Sequence, residues 1–255
     1  MVEFKTAGEI DAMRAAGRIV ARALDACTRA ARIGTPLREL DDVAQAVIAD
    51  AGARPSFLHY HPHFAPTPFP AAICTSVNEV IVHGIPDGYV LADGDLLSID
   101  CGAELDGFHG DAAVSVLVGA PDAADETLIE TARAALAAGI AAACPGGRLG
   151  DVSHAVGTVG RRAGYGIPRD FGGHGIGRRM HEDPPVPNEG KPGRGFRLRP
   201  GLALAIEPMF MAGGSDTYRV AADGWALRTS DGSRAAHVEH SVAVTESGPL
   251  VLTAP

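Results

Sequence analysis

The stretch Gly94-Asp95-Leu96-Leu97-Ser98-Ile99-Asp100 sets the reading of this chain, because Gly201-Leu202-Ala203-Leu204-Ala205-Ile206-Glu207 echoes it. Each is a turn glycine, a short apolar run of strand character and then a carboxylate. The echo extends in both directions. Upstream, Gly34-Thr35-Pro36-Leu37-Arg38-Glu39-Leu40 resembles Gly146-Gly147-Arg148-Leu149-Gly150-Asp151-Val152, and the same offset carries Val47 onto Val159 and Gly52 onto Gly164. Downstream, Asp111-Ala112-Ala113-Val114-Ser115-Val116 resembles Glu239-His240-Ser241-Val242-Ala243-Val244. Each half reads as a helix, a strand ending in a carboxylate and a strand beginning with one. The expectation is a single α+β domain over residues 1–255, built from two pseudo-symmetric halves, roughly 1–120 and 121–255, whose carboxylates meet between them.

The remaining elements follow from local signals. Thr6-Ala7-Gly8-Glu9 is a capping box, and Ile10, Met13, Val20, Leu24 and Cys27 continue it at helical spacing. A second helix is expected with Pro36 at its first position, an inner face of Leu37, Leu40, Val43 and Val47, and a stop at Gly52. Pro55, Pro62, Pro66, Pro68 and Pro70 exclude regular helix from residues 53–70, so that segment reads as a loop. Strands are expected near 71–77, 80–82, 96–99 and 112–118, and helices over about 122–144 and 151–163. Glycine-rich loops come next, followed by strands near 202–206, 218–221, 225–228 and 237–244.

Composition narrows the class. Of 255 residues, 46% are hydrophobic, enough for a substantial core. The 31 acidic residues outnumber the 22 basic ones, and a net charge of −9 argues against nucleic acid as a partner. No run approaches the roughly 18 apolar residues of a bilayer span, and Met1-Val2-Glu3-Phe4-Lys5 lacks the form of a signal peptide. Cys27, Cys74, Cys101 and Cys144 are scattered without a C-x-x-C pair, which argues against structural zinc and disulfides and points to the cytoplasm.

Chemistry concentrates on the carboxylates. Asp100, Asp111, Glu207 and Glu239 adjoin apolar strand segments that contain no Lys or Arg. A buried carboxylate needs a partner. Two divalent cations would match the four acids in charge, which favours two metals over one. Gly172-Gly173-His174-Gly175-Ile176-Gly177 offers a nitrogen ligand in a setting where backbone can approach closely. His83, in Val82-His83-Gly84-Ile85-Pro86, and His181 read on their own as hydrogen-bonded structural residues.

With these motifs assembled, the chain closely resembles the type I methionine aminopeptidases. The resemblance rests on Asn78-Glu79-Val80 leading to His83-Gly84-Ile85-Pro86, and on Ile99-Asp100 followed by Gly107-Phe108-His109-Gly110-Asp111. It also rests on Gly173-His174-Gly175-Ile176-Gly177 with His181, Ile206-Glu207-Pro208-Met209 and Val238-Glu239-His240. It runs from about Thr6 to Leu252. It implies the pita-bread fold, two pseudo-symmetric halves around a dinuclear metal centre. It implies that Asp100 chelates one ion, that Asp111 and Glu239 bridge both, and that His174 and Glu207 bind the second. Glu207 would shuttle the proton, His83 would contact the peptide nitrogen beside the cleaved bond, and His181 would stabilise the oxyanion. Tyr60, Cys74, His83, Met180, His181 and Trp225 would surround the methionine side chain.

The implied activity is hydrolysis of the N-terminal methionine from nascent proteins and peptides, preferably before a small second residue. The ligand set suits Fe(II), Mn(II), Co(II) or Zn(II). The resemblance further implies a monomer, and the role suits contact with the ribosome. Two alternatives are a pita-bread enzyme of X-prolyl specificity and a non-catalytic binding homologue. The first usually carries a long extra N-terminal domain, and the second loses ligands that this chain keeps. The type II enzymes carry a helical insertion for which there is no room, since Glu207 follows His174 by 33 positions. Two departures fall on the pocket. Met180 stands where the bacterial family often has an aromatic residue, and the segment from His59 to Pro70 is longer and richer in proline than usual. Its prolines favour an exposed pocket rim over a metal site for His59, His61 and His63.

Overall fold

The computed structural model describes residues 2–63 and 65–254. In chain order, α1 (Ala7–Ala30) and α2 (Leu37–Asp50) lead into the strands β1 (Arg54–Pro55), β2 (Ile73–Val77), β3 (Val80–Val82), β4 (Leu96–Leu105) and β5 (Phe108–Leu117). The helices α3 (Ala123–Ala142) and α4 (Leu149–Arg162) follow, then β6 (Gly172–Gly175), β7 (Glu182–Pro187), β8 (Ala203–Ile206) and β9 (Met209–Met211). The chain closes with β10 (Tyr218–Val220), β11 (Leu227–Thr229), β12 (Ala235–His237), β13 (Glu239–Thr245) and β14 (Gly248–Val251).

Local chemistry explains the helix ends. Thr6 accepts from the Glu9 amide at 3.3 Å while Glu9 accepts from the Thr6 amide at 2.9 Å, so the box at the start of α1 forms as expected. Asp122 caps α3 by accepting from the amides of Ala124 and Asp125. Pro36 differs from expectation. It precedes α2 with extended backbone at φ −68 and ψ 143, because it bridges to Val90 instead of entering the first turn. The buried residues of α2 are Leu37, Leu40, Asp41, Ala44 and Ile48, whereas Val43 and Val47 are only half-buried at the margin.

The main sheet runs β1-β4-β5-β13-β8-β6-β7, with β2 also on β4 and β14 also on β13. Its centre is the pair β5–β13, flanked by β4 on one side and β8 on the other. Strand alternation sorts the two faces. Leu97, Ile99, Cys101 and Ala103 of β4, with Ala112 of β5, enter one apolar core with α1 and α2. Leu204 and Ile206 of β8, with Val242 and Val244 of β13, enter a second core with α3 and α4. Period two therefore turns Asp100, Asp111, Glu239 and the following Glu207 to the face away from the helices.

Two expectations about strands need correction. The carboxylates of the first half do not end or begin strands. Both β4 and β5 are long arms of one hairpin, and Asp100 and Asp111 lie inside them. In the second half Glu207 does follow the last residue of β8 and Glu239 does open β13. The glycine-rich segment around His174 is not a loop either. It is β6, paired with β8 and β7, with His174 opposite Ala205. Glycine suppresses the usual strand signal there, and packing requires it. A Cβ on Gly173 would stand 2.1 Å from the Ala205 carbonyl oxygen. Residues 53–70 hold only the two-residue β1 among those described. No described helix is long and apolar enough to cross a membrane.

Because that contact is backbone against backbone, Gly173→Ala is expected to lower stability by about 3 kcal/mol, the upper end of the overpacking range. Gly8→Ala, in open space on α1, should leave the melting temperature unchanged or slightly higher. Thermal denaturation of the two variants checks this, and a Gly173→Ala protein as stable as wild type would contradict the close approach.

Candidate active site

Sheet register brings the acids together. Ala113 of β5 pairs with Asp100 of β4 on one side and with Glu239 of β13 on the other. The row Asp100–Ala113–Glu239 thus crosses three strands, and Asp111 projects one pleat along β5. The small Ala113 side chain leaves space between the larger neighbours. Asp111, His174, Glu207 and Glu239 are buried, and Asp100 is half-buried. Among the described residues, none of the four acids is ion-paired to Lys or Arg.

Imidazoles face them instead. His174 Nε2 lies 3.6 Å from Asp111 Oδ2 and 3.8 Å from Glu207 Oε1. Its Nδ1–H donates to the Gly175 carbonyl at 2.9 Å, which aims Nε2 at the acids; burial opposes its charge, but the acids outweigh that and hold its pKa above the ordinary value. Two sets of donor atoms converge closely enough to hold an ion, Asp111–His174–Glu239 and Glu207–His237–Glu239. Asp100 joins them through its contact with Asp111. Buried, unpartnered atoms mark the same place: Asp100 Oδ1, Asp111 Oδ1, Glu239 Oε1 and His237 Nε2. Oxygen and nitrogen donors shielded from water and lacking partners fit a divalent cation.

The electrostatics agree. Burial, compounded by Asp111 and Glu207, holds the Asp100 carboxyl well above the usual range. Burial and the neighbouring acids do the same to Glu239. Burial also raises Asp111, against the pull of His174. Glu207 differs, since burial opposes its ionisation but His237, His174 and His83 outweigh it and hold it below the ordinary value. Burial lowers His83 to about 4. Burial also keeps the Cys74 thiol protonated.

Above the acids opens a cavity of about 280 Å³. All five expected metal ligands line it, together with Tyr60, Cys74, His83, Met180, His181 and Trp225. His83 stands at positive φ (62°) with its Nδ1 shielded and unpartnered, and its ring meets Trp225 edge-on at 6.4 Å. His181 lies at the mouth, between the ring of Tyr60 at 5.1 Å and that of His174 at 4.1 Å. The proline-rich segment contributes more than a rim. Its Phe69 is buried and packs edge-on against Trp225 at 5.0 Å, and the Trp225 indole N–H donates to the Thr67 carbonyl at 3.1 Å. His59, His61 and His63 form no donor cluster among the described residues.

Sequence reasoning missed some of this lining. Phe57, Phe69, Phe171 and Met209 complete the apolar wall. It also missed His237, which lies behind Glu207 and Glu239 and was read only as the start of a strand. Its spacing of two from Glu239 was the available signal, because residues two apart on a strand share a face.

Comparison with known proteins places the chain. A model of metallopeptidase family M24 matches residues 11–246. Methionine aminopeptidase 1 of Mycobacterium tuberculosis (strain CDC 1551 / Oshkosh) is 54% identical over 260 residues, covering 99% of this chain and 95% of that protein. Methionine aminopeptidase from Thermotoga maritima has a crystal structure that matches with a TM-score of 0.95 at 39% identity, covering 100% of both chains. Prolidase from Pyrococcus furiosus shares the fold, with a TM-score of 0.77 at 22% identity over 99% of this chain and 65% of that one. The fold is the expected pita-bread arrangement.

In the metal-free protein, Asp100 and Glu239 keep protons that the unfolded chain releases above about pH 4. The folded state then binds more protons than the unfolded state, so these groups make stability fall as pH rises above the ordinary carboxylate range. His83 acts oppositely, but only between about 4 and about 6.5, above which the unfolded histidine is also neutral. A divalent ion replaces the retained protons, so its stabilising effect should grow as pH rises above the ordinary carboxylate range. Melting curves with and without Mn(II) check this; a gain that shrinks as pH rises would contradict it.

Proposed function

This chain belongs to metallopeptidase family M24, and we propose that it removes the N-terminal methionine from nascent proteins and peptides, with preference for a small second residue. It is a metal-dependent hydrolase that acts on a peptide substrate. The single observation carrying the specificity is the continuity of one cavity, in which an apolar wall of Cys74, Met180, Trp225 and Phe69 stands directly over the acids. An unbranched, polarisable thioether suits such a wall.

The fit of the donors supports two ions, drawn from Fe(II), Mn(II), Co(II) and Zn(II), held by Asp100, Asp111, His174, Glu207 and Glu239. When bound, they supply Lewis-acid polarisation of the scissile carbonyl and a more acidic water. The residues do the rest. Glu207, held ionised by its histidine neighbours, takes a proton from the attacking water and delivers it to the leaving amine. His181, at the cavity mouth, donates to the developing oxyanion. His83, neutral at physiological pH because burial lowers it, hydrogen-bonds the peptide nitrogen beside the cleaved bond. Tyr60, with its ring against His181, closes the side-chain pocket together with Met180.

Residues 1–255 act in this reading as one catalytic domain whose halves, roughly 1–120 and 121–255, are a repeat. The placement of β4–β5 against β8–β13 about the centre of the sheet supports it. The same reading places a monomer in the cytoplasm, in contact with the ribosome. The free state of all four cysteines supports a reducing compartment.

The deciding assay compares Met-Ala-Ser with analogues beginning in Leu, Pro and Ala, each with the four metals. Release of methionine is expected to dominate, and turnover confined to the other peptides would overturn the specificity. His83→Ala should cut turnover by roughly 100-fold or more while metal content stays near wild type. Loss of both metals in that variant would contradict the role given to His83.

A further inference from the structure

His237 ends β12, two residues before Glu239, and pairs across the β12–β9 ladder with Met209, two residues after Glu207. It is 1% exposed and does not line the cavity. Its Nε2 is shielded from water and sits 3.4 Å from Glu207 Oε2, a long and poorly aligned approach, and 3.9 Å from Glu239 Oε2. A residue that merely steadied Glu207 would settle at the roughly 2.7–3.2 Å of a hydrogen bond. Two donors on one ion, each about 2.0–2.2 Å from it, lie roughly 3.0–3.5 Å apart for right-angled to tetrahedral geometry. His174 stands at slightly longer distances from its own acids, 3.6 and 3.8 Å, so the two imidazoles approach the acids in a comparable way. The two imidazoles flank opposite oxygens of Glu207, His174 at Oε1 and His237 at Oε2.

The backbone of His237 is also held fast. Its amide donates to Ser115 Oγ at 3.0 Å, and its carbonyl accepts from the same hydroxyl at 2.7 Å. Ser115 and Ser98 face each other across β4 and β5 with their hydroxyls 2.8 Å apart. Two buried hydroxyls on the strands that carry Asp100 and Asp111 thus fix the histidine relative to those acids.

Resting on the metal-dependent reading above, we infer that His237 is a sixth protein ligand of the centre, holding a divalent ion together with Glu207 and Glu239. The centre then has two nitrogen donors, not one. Imidazole favours Co(II) and Zn(II) over Mn(II) more than carboxylate does, so His237 tilts metal choice in that direction.

The test uses the full chain, stripped with chelator and reloaded with Co(II). X-ray absorption fine structure is expected to show imidazole scattering equal to two rings per protein in wild type and one in His237→Gln. Titration calorimetry should show the Co(II)-over-Mn(II) affinity ratio falling about 10-fold or more in the variant. One ring in wild type overturns the inference whether or not the variant folds. So does an unchanged ring count in a His237→Gln protein whose metal-free melting temperature matches wild type. Failure of wild type to bind Co(II) or Mn(II) at all would instead strike the metal-dependent reading on which this rests.

Discussion

Four carboxylates on one sheet face repel one another, and among the described residues no lysine or arginine is paired with them. Burial raises Asp100, Asp111 and Glu239, each worsened or only partly relieved by its neighbours. The arrangement costs folding free energy unless cations enter it, since a buried unpaired charge is penalised by several kcal/mol. The rest of the molecule is organised to hold that unfavourable cluster in place. Two apolar cores, one under each helix pair, anchor the opposite face of the strands that bear it.

The central strand pair explains how so small a protein builds so dense a site. In an antiparallel sheet, side chains in one row stand about 5 Å apart. A row of Asp100, Ala113 and Glu239 therefore spaces two acids across one small residue, and Asp111 enters from the next pleat. A larger residue at position 113 would fill the place where ligand atoms converge. His174 comes from β6, between β8 and β7, which approaches β8 closely because Gly173 lacks a side chain. His237 arrives from behind, from a separate two-stranded ladder. The symmetry of the acids across the sheet is thus completed by histidines that do not share it.

The cavity above is a different kind of construction. Its apolar wall comes from segments far apart in the chain: the proline-rich stretch, β2, the turn after β6 and the approach to β11. Prolines exclude regular structure from the first of these but do not make it a passive rim. Phe57 and Phe69 fold inward, Phe57 edge-on against Phe69 and Phe69 against Trp225. Among the described residues the histidines of that stretch stay apart from any donor cluster.

Period, capping and motif spacing are properties of neighbours along the chain, and they made the acid-bearing strands, the capped helices and the family legible in the sequence. Tertiary structure alone decided three further matters. It made the glycine-rich segment around His174 a strand, since a glycine's need for close backbone contact is invisible until the contacting strand is known. It drew Phe57, Phe69, Phe171 and Met209 into the wall, since apolar residues look alike in sequence whether they face a core or a cavity. It set His237 beside Glu207, since a distance between residues thirty positions apart is fixed by sheet register and by the serines that grip the backbone, and neither is written in local pattern.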